Sequence, residues 1–153
     1  MDLSAERSLL GQEINSLWPY FIHLYEDLFR LTNEEYEVLK KSKIEELEDI
    51  SKKKSILLEE IDTLDKKREE ILERISLFGH SSLPAKNNSS TIKEFLLLYH
   101  LEDHYQNFSK LNDDLISIIE KTRRQNKNNQ VLLARALNFI REVKGQALGQ
   151  KYF

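Results

Sequence analysis

The chain has 153 residues, of which 32% are charged and 40% hydrophobic, and it contains only 4 Gly and 2 Pro. This composition favours long amphipathic helices in one domain over sheets with their Gly- and Pro-rich turns. The formal net charge of −3 argues against nucleic acid as a partner, and the absence of Cys excludes disulfides, thiolate metal sites and a Cys nucleophile.

The sequence also predicts a cytoplasmic protein without a membrane span. Asp2 and Glu6 occupy the region where a signal peptide carries positive charge, so we expect no secretory leader. The most apolar run, residues 95–99, is far shorter than the roughly 20 residues that a transmembrane helix needs.

Helix one is predicted over residues 4–40. Its apolar residues recur at heptad steps, which is typical of a helix that packs against neighbours. They are Ile14, Leu17, Phe21, Leu24, Leu28, Leu31 and Val38. Pro19 lies inside this pattern, and its missing N–H predicts either a kink there or a helix that begins near Ser16.

Helix two is predicted over residues 42–78, beginning at a capping box from Ser42 to Glu45. A seven-residue repeat of apolar residues then indicates a coiled-coil-like seam. The repeat consists of Ile50, Leu57, Leu64, Ile71 and Phe78, with a second line of Leu47, Ile61 and Ile75 that Lys54 and Arg68 interrupt.

Helix three is predicted over residues 91–145, after a Gly-, Pro-, Asn- and Ser-rich loop at residues 79–90. A second capping box, from Thr91 to Glu94, indicates its beginning. Its predicted seam is Leu97, Leu101, Phe108, Leu111, Leu115, Ile118 and Ile119.

A polar patch interrupts this seam between Gln125 and Gln130, where five of the six residues are Asn or Gln. The heptad line of Ile119 nevertheless continues through Asn126 to Leu133 and Ile140 without a change of phase. A preserved phase favours one helix whose seam turns polar at Thr122, Asn126 and Asn129. A local break at the patch is the alternative, because Asn has poor helix propensity.

Together these elements predict an all-α fold over residues 1–153: an elongated antiparallel bundle of three long helices with coiled-coil-like packing. The third helix is extended by a C-terminal amphipathic segment. Each long helix is about 37 residues, or roughly 55 Å, and residues 128–147 have no partner of matching length. Their apolar side chains should be covered by a second copy, the end of the bundle or another protein.

No catalytic, cofactor or metal site is predicted, so we do not expect an enzyme. His100 and His104 share a helix face, but the segment lacks a third ligand and the Glu position of the zinc-protease motif. A packed or boundary histidine is favoured for His104.

Two segments resemble the FlgN-type flagellar export chaperones. The second helix of that family has a Lys-Ser-x-Leu-Leu core, then a hydrophobic-Asp-x-Leu step and a basic residue. The matching residues here are Lys54, Ser55, Leu57, Leu58, Ile61, Asp62, Leu64 and Arg68. The family pattern Asn-x-x-Asn-x-x-Leu-Leu falls on Asn126, Asn129, Leu132 and Leu133.

The resemblance implies a cytoplasmic chaperone of the flagellar type III secretion system. Such proteins hold the C-terminal segments of the hook-associated (hook–filament junction) proteins, prevent premature assembly and deliver them for export. The family binds these clients through its C-terminal part, which is the segment that the helix lengths leave without a partner. The client-binding residues implied here are Asn126, Asn129, Leu132, Leu133, Ala136, Leu137, Phe139, Ile140 and Val143.

Several alternatives remain open at this point. The apolar segment could instead form a homodimer in the client-free protein, or close the end of the bundle. The chain could be a structural coiled-coil adaptor, or a helical secretion chaperone for a different flagellar client. Relatives contact the export gate through a C-terminal tail, for which Tyr152 and Phe153 are the candidates here.

Overall fold

The computed structural model describes residues 3–78 and 88–152, with only the backbone described at residue 88 and residues 146–152. These residues form four α-helices and, within the described ranges, no strand. The helices are α1 (Leu3–Lys40), α2 (Ile44–Ser76), α3 (Asn88–Leu98) and α4 (Glu102–Tyr152). The predicted all-α class is confirmed.

α1 runs without interruption through Pro19. The alternative in which the first helix begins near Ser16 is therefore wrong. Six of the seven residues of the predicted apolar face are buried, among them Ile14 before this proline and Phe21 after it. A continuous apolar face supplies the packing that keeps the helix intact despite the missing N–H of Pro19.

The turn between α1 and α2 corrects the first capping box. Ser42 has a left-handed backbone with φ of 56°, and it follows the end of α1 rather than capping α2. The N–H of Lys43 donates to the carbonyl of Val38 at 3.1 Å, and that of Ser42 to Leu39 at 3.3 Å. These two bonds form a Schellman motif, which places Ser42 outside the extended conformation that an N-cap requires.

A second Schellman motif splits the predicted third helix into α3 and α4. His100 has φ of 59°, and the N–H of Leu101 donates to the carbonyl of Leu96 at 2.8 Å. The N–H of His100 donates to Leu97 at 3.2 Å. The prediction of one helix over residues 91–145 is therefore wrong, because the chain breaks at His100 without any Gly or Pro.

The phase of the apolar residues explains this break. In α3 the buried side chains are Ile92, Phe95 and Leu96, whereas Leu97 of the predicted seam is 49% exposed. In α4 the buried line begins with Phe108 and Leu115. At about 100° per residue, one straight helix would point these two sets about 150° apart. The turn at His100 allows both sets to face the same core.

The second capping box is also wrong, because α3 begins at Asn88 and Thr91 lies inside it. Residues 79–87 of the predicted loop lie outside the described residues, and residues 88–90 are helical. Across residues 126–129, by contrast, α4 is uninterrupted, as the preserved heptad phase predicts.

α1 lies against both α2 and α4. The short helix α3 packs against α2 and α4 as well. α1 and α4 are parallel, since Asn15 bonds to His104, Trp18 to Asn112 and Thr32 to Asn129. α2 is antiparallel to α1, since Arg74 pairs with Glu13 and Lys54 with Glu35. A closed three-helix bundle and a single domain over residues 1–153 stay predictions.

The buried core is divided unevenly along the molecule. The larger cluster lies at the end formed by the start of α1, the end of α2 and α3, and it includes Trp18, Phe95 and Phe108. The smaller cluster, Leu31, Val38 and Ile50, lies near the α1–α2 turn. The end of the molecule from which α4 emerges is therefore the one with the smaller apolar core.

The left-handed backbone at His100 predicts a stabilising substitution. His100→Gly removes the Cβ that this conformation disfavours, and we expect the free energy of unfolding to rise by about 0.5–1 kcal/mol in urea denaturation. The matched control is His23→Gly, because His23 is an exposed histidine inside α1. That change should lower the free energy of unfolding by about 1 kcal/mol. Equal effects of the two substitutions would contradict the backbone assignment.

Candidate protein-binding surface on the C-terminal helix

Asn129 lies at the point where α4 leaves the body of the protein. Its side chain is buried at 2% exposure. Its Nδ2 donates to the backbone carbonyl of Thr32 at 2.7 Å and to Oε1 of Glu35 at 2.8 Å. The Nε2 of Gln125 donates to Asn129 Oδ1 at 3.1 Å. The Asn129 amide therefore has partners on both α1 and its own helix.

Glu35 receives a second set of bonds from α2. The Nζ of Lys54 lies 3.3 Å from both carboxylate oxygens, and the two side chains are 16% and 17% exposed. A half-buried carboxylate thus joins a cation on α2 to an amide on α4. We call Thr32, Glu35, Lys54, Gln125 and Asn129 the three-helix junction.

The structure places Asn129, which the sequence assigned to a client surface, inside the junction. Asn129 contacts α1, so its side chain is not part of an exposed surface. Asn126 is half-buried one turn earlier. The physical reason is that Asn129 lies two heptads after the buried Leu115, so it faces α1, where its amide satisfies polar groups.

Sequence reasoning identified Lys54 as an interruption of the α2 seam and as part of a FlgN-like motif, but it missed Glu35. Within α1, Glu35 is one of several acidic residues between Glu34 and Glu37 that look alike in sequence. The signal that could have found it is its position one turn after Thr32 on the same face, opposite a Lys in the seam of α2.

Beyond the junction, most of the described side chains of α4 are exposed. α1 ends at Lys40, whereas the parallel α4 continues to Tyr152. From residue 130 to residue 145 every side chain is exposed except Leu132, which is half-buried. We call residues 131–145 the overhang.

The overhang carries a stripe of exposed apolar side chains. The large ones are Leu133 at 41%, Leu137 at 46%, Ile140 at 38% and Val143 at 47% exposure, and Phe139, at 65%, lies to one side of them. Ala136 is exposed on the same side, and Leu132 borders it. Leu133, Ile140, Ala136 and Val143 extend the two heptad lines that are buried earlier in α4. The helix therefore presents to solvent the face with which it packs inside the body.

Val131 is the exception to this arrangement. It is 50% exposed, but at about 100° per residue it lies on the side of the helix opposite to the stripe. This makes Val131 a natural reference for substitutions within the stripe.

The C-terminal half of α4 is also the most basic part of the chain. Residues 121–145 contain seven Lys and Arg and one Glu, although the whole chain has a formal net charge of −3. Such a segment favours a partner that is both apolar and acidic.

His100 and His104, which the sequence analysis considered as metal ligands, occupy structural positions. Nδ2 of Asn15 donates to Nδ1 of His104 at 2.9 Å, and a Cβ at Gly11 would lie 3.0 Å from the His104 ring. His100 forms the left-handed end of α3. Within residues 3–78 and 88–145, no three His, Asp or Glu side chains gather into a metal-binding group.

Two other expectations from the sequence concern contact with the export gate and the absence of a membrane span. The side chains of Tyr152 and Phe153, the candidates for export-gate contact, lie outside the described residues. None of the described helices has the length and apolar character needed to cross a membrane.

Comparison with known proteins identifies one family. The family model described as "FlgN protein" matches residues 20–143, about four fifths of the chain. The matched range includes the junction and most of the overhang. No curated protein and no solved structure matches the chain.

The junction predicts that Asn129 stabilises the protein. Asn129→Ala leaves the Thr32 carbonyl and the Glu35 carboxylate without their amide donor, which should lower the free energy of unfolding by about 1–3 kcal/mol. The control is Asn128→Ala, because Asn128 is exposed in the same turn and the helix propensity changes equally. Urea denaturation of both variants measures the difference, and similar curves for the two would contradict the role of Asn129.

Proposed function

This chain belongs to the FlgN family of flagellar export chaperones, and we propose that it binds the C-terminal segments of hook-associated (hook–filament junction) proteins through its overhang. In this proposal it acts in the cytoplasm, prevents premature assembly of these clients and delivers them to the type III export apparatus. The family is one of chaperones and not of enzymes.

The exposed apolar stripe of the overhang is the observation that supports this proposal. Five large apolar side chains between Leu133 and Val143 are at least 38% exposed. A contiguous group of exposed large apolar side chains usually marks a surface that a partner covers. Because the stripe continues the buried face of α4, the surface that a client would cover has the spacing of a helix–helix contact.

A client segment that becomes helical on binding fits this surface. Apolar residues at helical spacing on the client would pack against Leu133, Ile140 and Val143. Ordering a disordered client opposes binding and limits the affinity per unit area. That limit suits a chaperone, which must release its client at the export apparatus.

The three-helix junction contributes by fixing the direction of the overhang. Asn129 and Lys54, one from each of the two FlgN-like motifs, both bond to Glu35. The overhang therefore begins as a preformed helix on a rigid base. Preorganisation of one partner reduces the conformational entropy lost on binding.

A permanent adaptor is the second candidate function, because the same stripe is suited to pairing with another copy. The two candidates differ in whether a hook-associated segment binds at all. Contact with the export gate through Tyr152 or Phe153 is a further part of the chaperone proposal.

The proposal predicts that charge placed in the stripe weakens client binding. Leu133→Asp or Ile140→Asp should weaken binding of C-terminal hook-associated fragments by about 30-fold, or about 2 kcal/mol, in calorimetric titration. Val131→Asp introduces the same residue on the opposite side of the helix and should leave the affinity nearly unchanged. Since all three residues are exposed, each variant should keep its helical content and stability.

Each outcome of these titrations has a definite meaning. Binding that survives both stripe substitutions would retain the chaperone function and move the site elsewhere. Absence of binding by the unaltered protein would favour the adaptor. Global unfolding of Leu133→Asp would show that the segment belongs to the core and that the assignment is wrong.

A further inference from the structure

A pocket lies where the beginning of α1 meets the end of α2, at the end of the molecule opposite to the overhang. Its volume is about 650 Å³. Three of the large apolar side chains that line it are exposed, and Leu77, at 84%, is the most exposed of them. The apolar lining consists of Leu3, Leu9, Leu10, Leu77 and Phe78. We call this cavity the Arg7 pocket, after a cation that also lines it.

The guanidinium of Arg7 is stacked on aromatic rings beside this pocket. Its Cζ lies 3.8 Å from the centroid of the Tyr99 ring and 5.5 Å from that of Phe78. The side chain is half-buried, and its Nε is enclosed without a hydrogen-bond acceptor. Within residues 3–78 and 88–145, no carboxylate forms an ion pair with Arg7. Because this cation has lost part of its hydration without gaining an anion, a ligand carboxylate would stabilise it.

The other charges of the pocket leave this cation available. Arg7 and Arg74 against Glu6 and Glu13 give the lining a net charge of zero. Arg74 and Glu13, however, pair with each other. Glu6 is exposed and lies about 100° around α1 from Arg7, so solvent and salt screen its carboxylate. The charge that a ligand meets inside the pocket is therefore that of Arg7.

The Arg7 pocket continues into a second cavity between α1 and α2. This cavity also has a volume of about 650 Å³, and the two share Leu9, Glu13 and Arg74. It extends as far as Tyr20, which is 64% exposed. From Arg7 to Tyr20 the two cavities form one groove about 20 Å long, which we call the α1–α2 groove. A groove of this length and openness suits a peptide segment better than a compact small molecule.

We propose that the α1–α2 groove binds a peptide segment of another protein, in which an Asp or Glu pairs with Arg7 and large apolar residues cover Leu9 and Tyr20. A guanidinium offers two parallel N–H groups to a carboxylate, and the stack on Tyr99 holds its plane in place. Apolar side chains of the ligand and of the pocket would exclude water from this pair and strengthen it.

The α1–α2 groove is a different site from the overhang. Arg7 lies about 50 Å along α1 from Lys40, the end beside which the overhang emerges. Arg7 and Leu9 also precede residue 20, where the match to the family model begins. A client on the overhang leaves the groove open, so the chain can hold a client and an acidic segment of a second protein at the same time.

Selection from a random peptide library, with the full chain as bait, tests the chemistry of the ligand. The enriched peptides should contain Asp or Glu beside Leu, Ile or Phe. Because the basic overhang also favours acidic, apolar peptides, each selected peptide is retested on the Leu133→Asp variant. Peptides that keep their affinity for this variant are the groove ligands, and the absence of such peptides would overturn the proposal.

Fluorescence anisotropy of a labelled groove ligand tests where it binds. Arg7→Gln should raise the dissociation constant at least about tenfold, because the ligand carboxylate loses a charge-assisted partner. Leu9→Asp should also raise it, since it places a like charge on the apolar wall. Glu6→Gln should lower it, because this change removes a like charge from the rim.

The control is Arg124→Gln, which removes the same charge at an exposed position of α4 outside the groove. It should leave the dissociation constant unchanged. Groove ligands that lack Asp and Glu, or a dissociation constant that neither Arg7→Gln nor Leu9→Asp raises, would contradict the assignment. Circular dichroism of each variant checks that its helices are intact. If Arg7→Gln unfolds the protein, the substitutions at the exposed Leu9 and Glu6 decide the outcome.

Discussion

The carboxylate of Glu35 is the constraint on which the arrangement of the three long helices depends. At 17% exposure it has lost most of its hydration, so leaving this carboxylate without bonded partners would destabilise the fold. Those partners come from Lys54 on α2 and Asn129 on α4. A shift of either helix by one turn would separate a partner from Glu35. The polar junction therefore fixes a register that the small apolar cluster nearby, Leu31, Val38 and Ile50, does not specify alone.

This register determines how much of α4 emerges from the protein. Between residues 102 and 145, Asn129 is the last buried residue of α4, and the apolar stripe begins within the next turn. Because the helix is already formed in the body, the overhang continues it by propagation and needs no new nucleus. The exposed segment can thus be helical without tertiary contacts, which a free peptide of that length would not achieve in water.

The sequence predicts a helix well where its apolar residues keep one heptad phase along its whole length. The uninterrupted path of α4 through Asn126 and Asn129 follows from one preserved heptad line. The break at His100 does not, because a left-handed His gives no Gly or Pro signal and the change of phase after Leu96 only becomes evident once the buried residues are known. Ser42 shows the reverse failure: a capping-box pattern was present, but the same residue closes α1 instead. Long-range pairing of Glu35 with Lys54 has no local pattern at all.

The overhang combines two requirements that oppose each other in most proteins. Its apolar residues must stay exposed to capture a partner, yet exposed apolar helices tend to associate without selectivity. The basic residues Arg135, Arg141 and Lys144 limit this tendency, since they favour partners with acidic surfaces. Selectivity in this molecule thus depends on where its charge is placed along α4, because the net charge of the whole chain has the other sign.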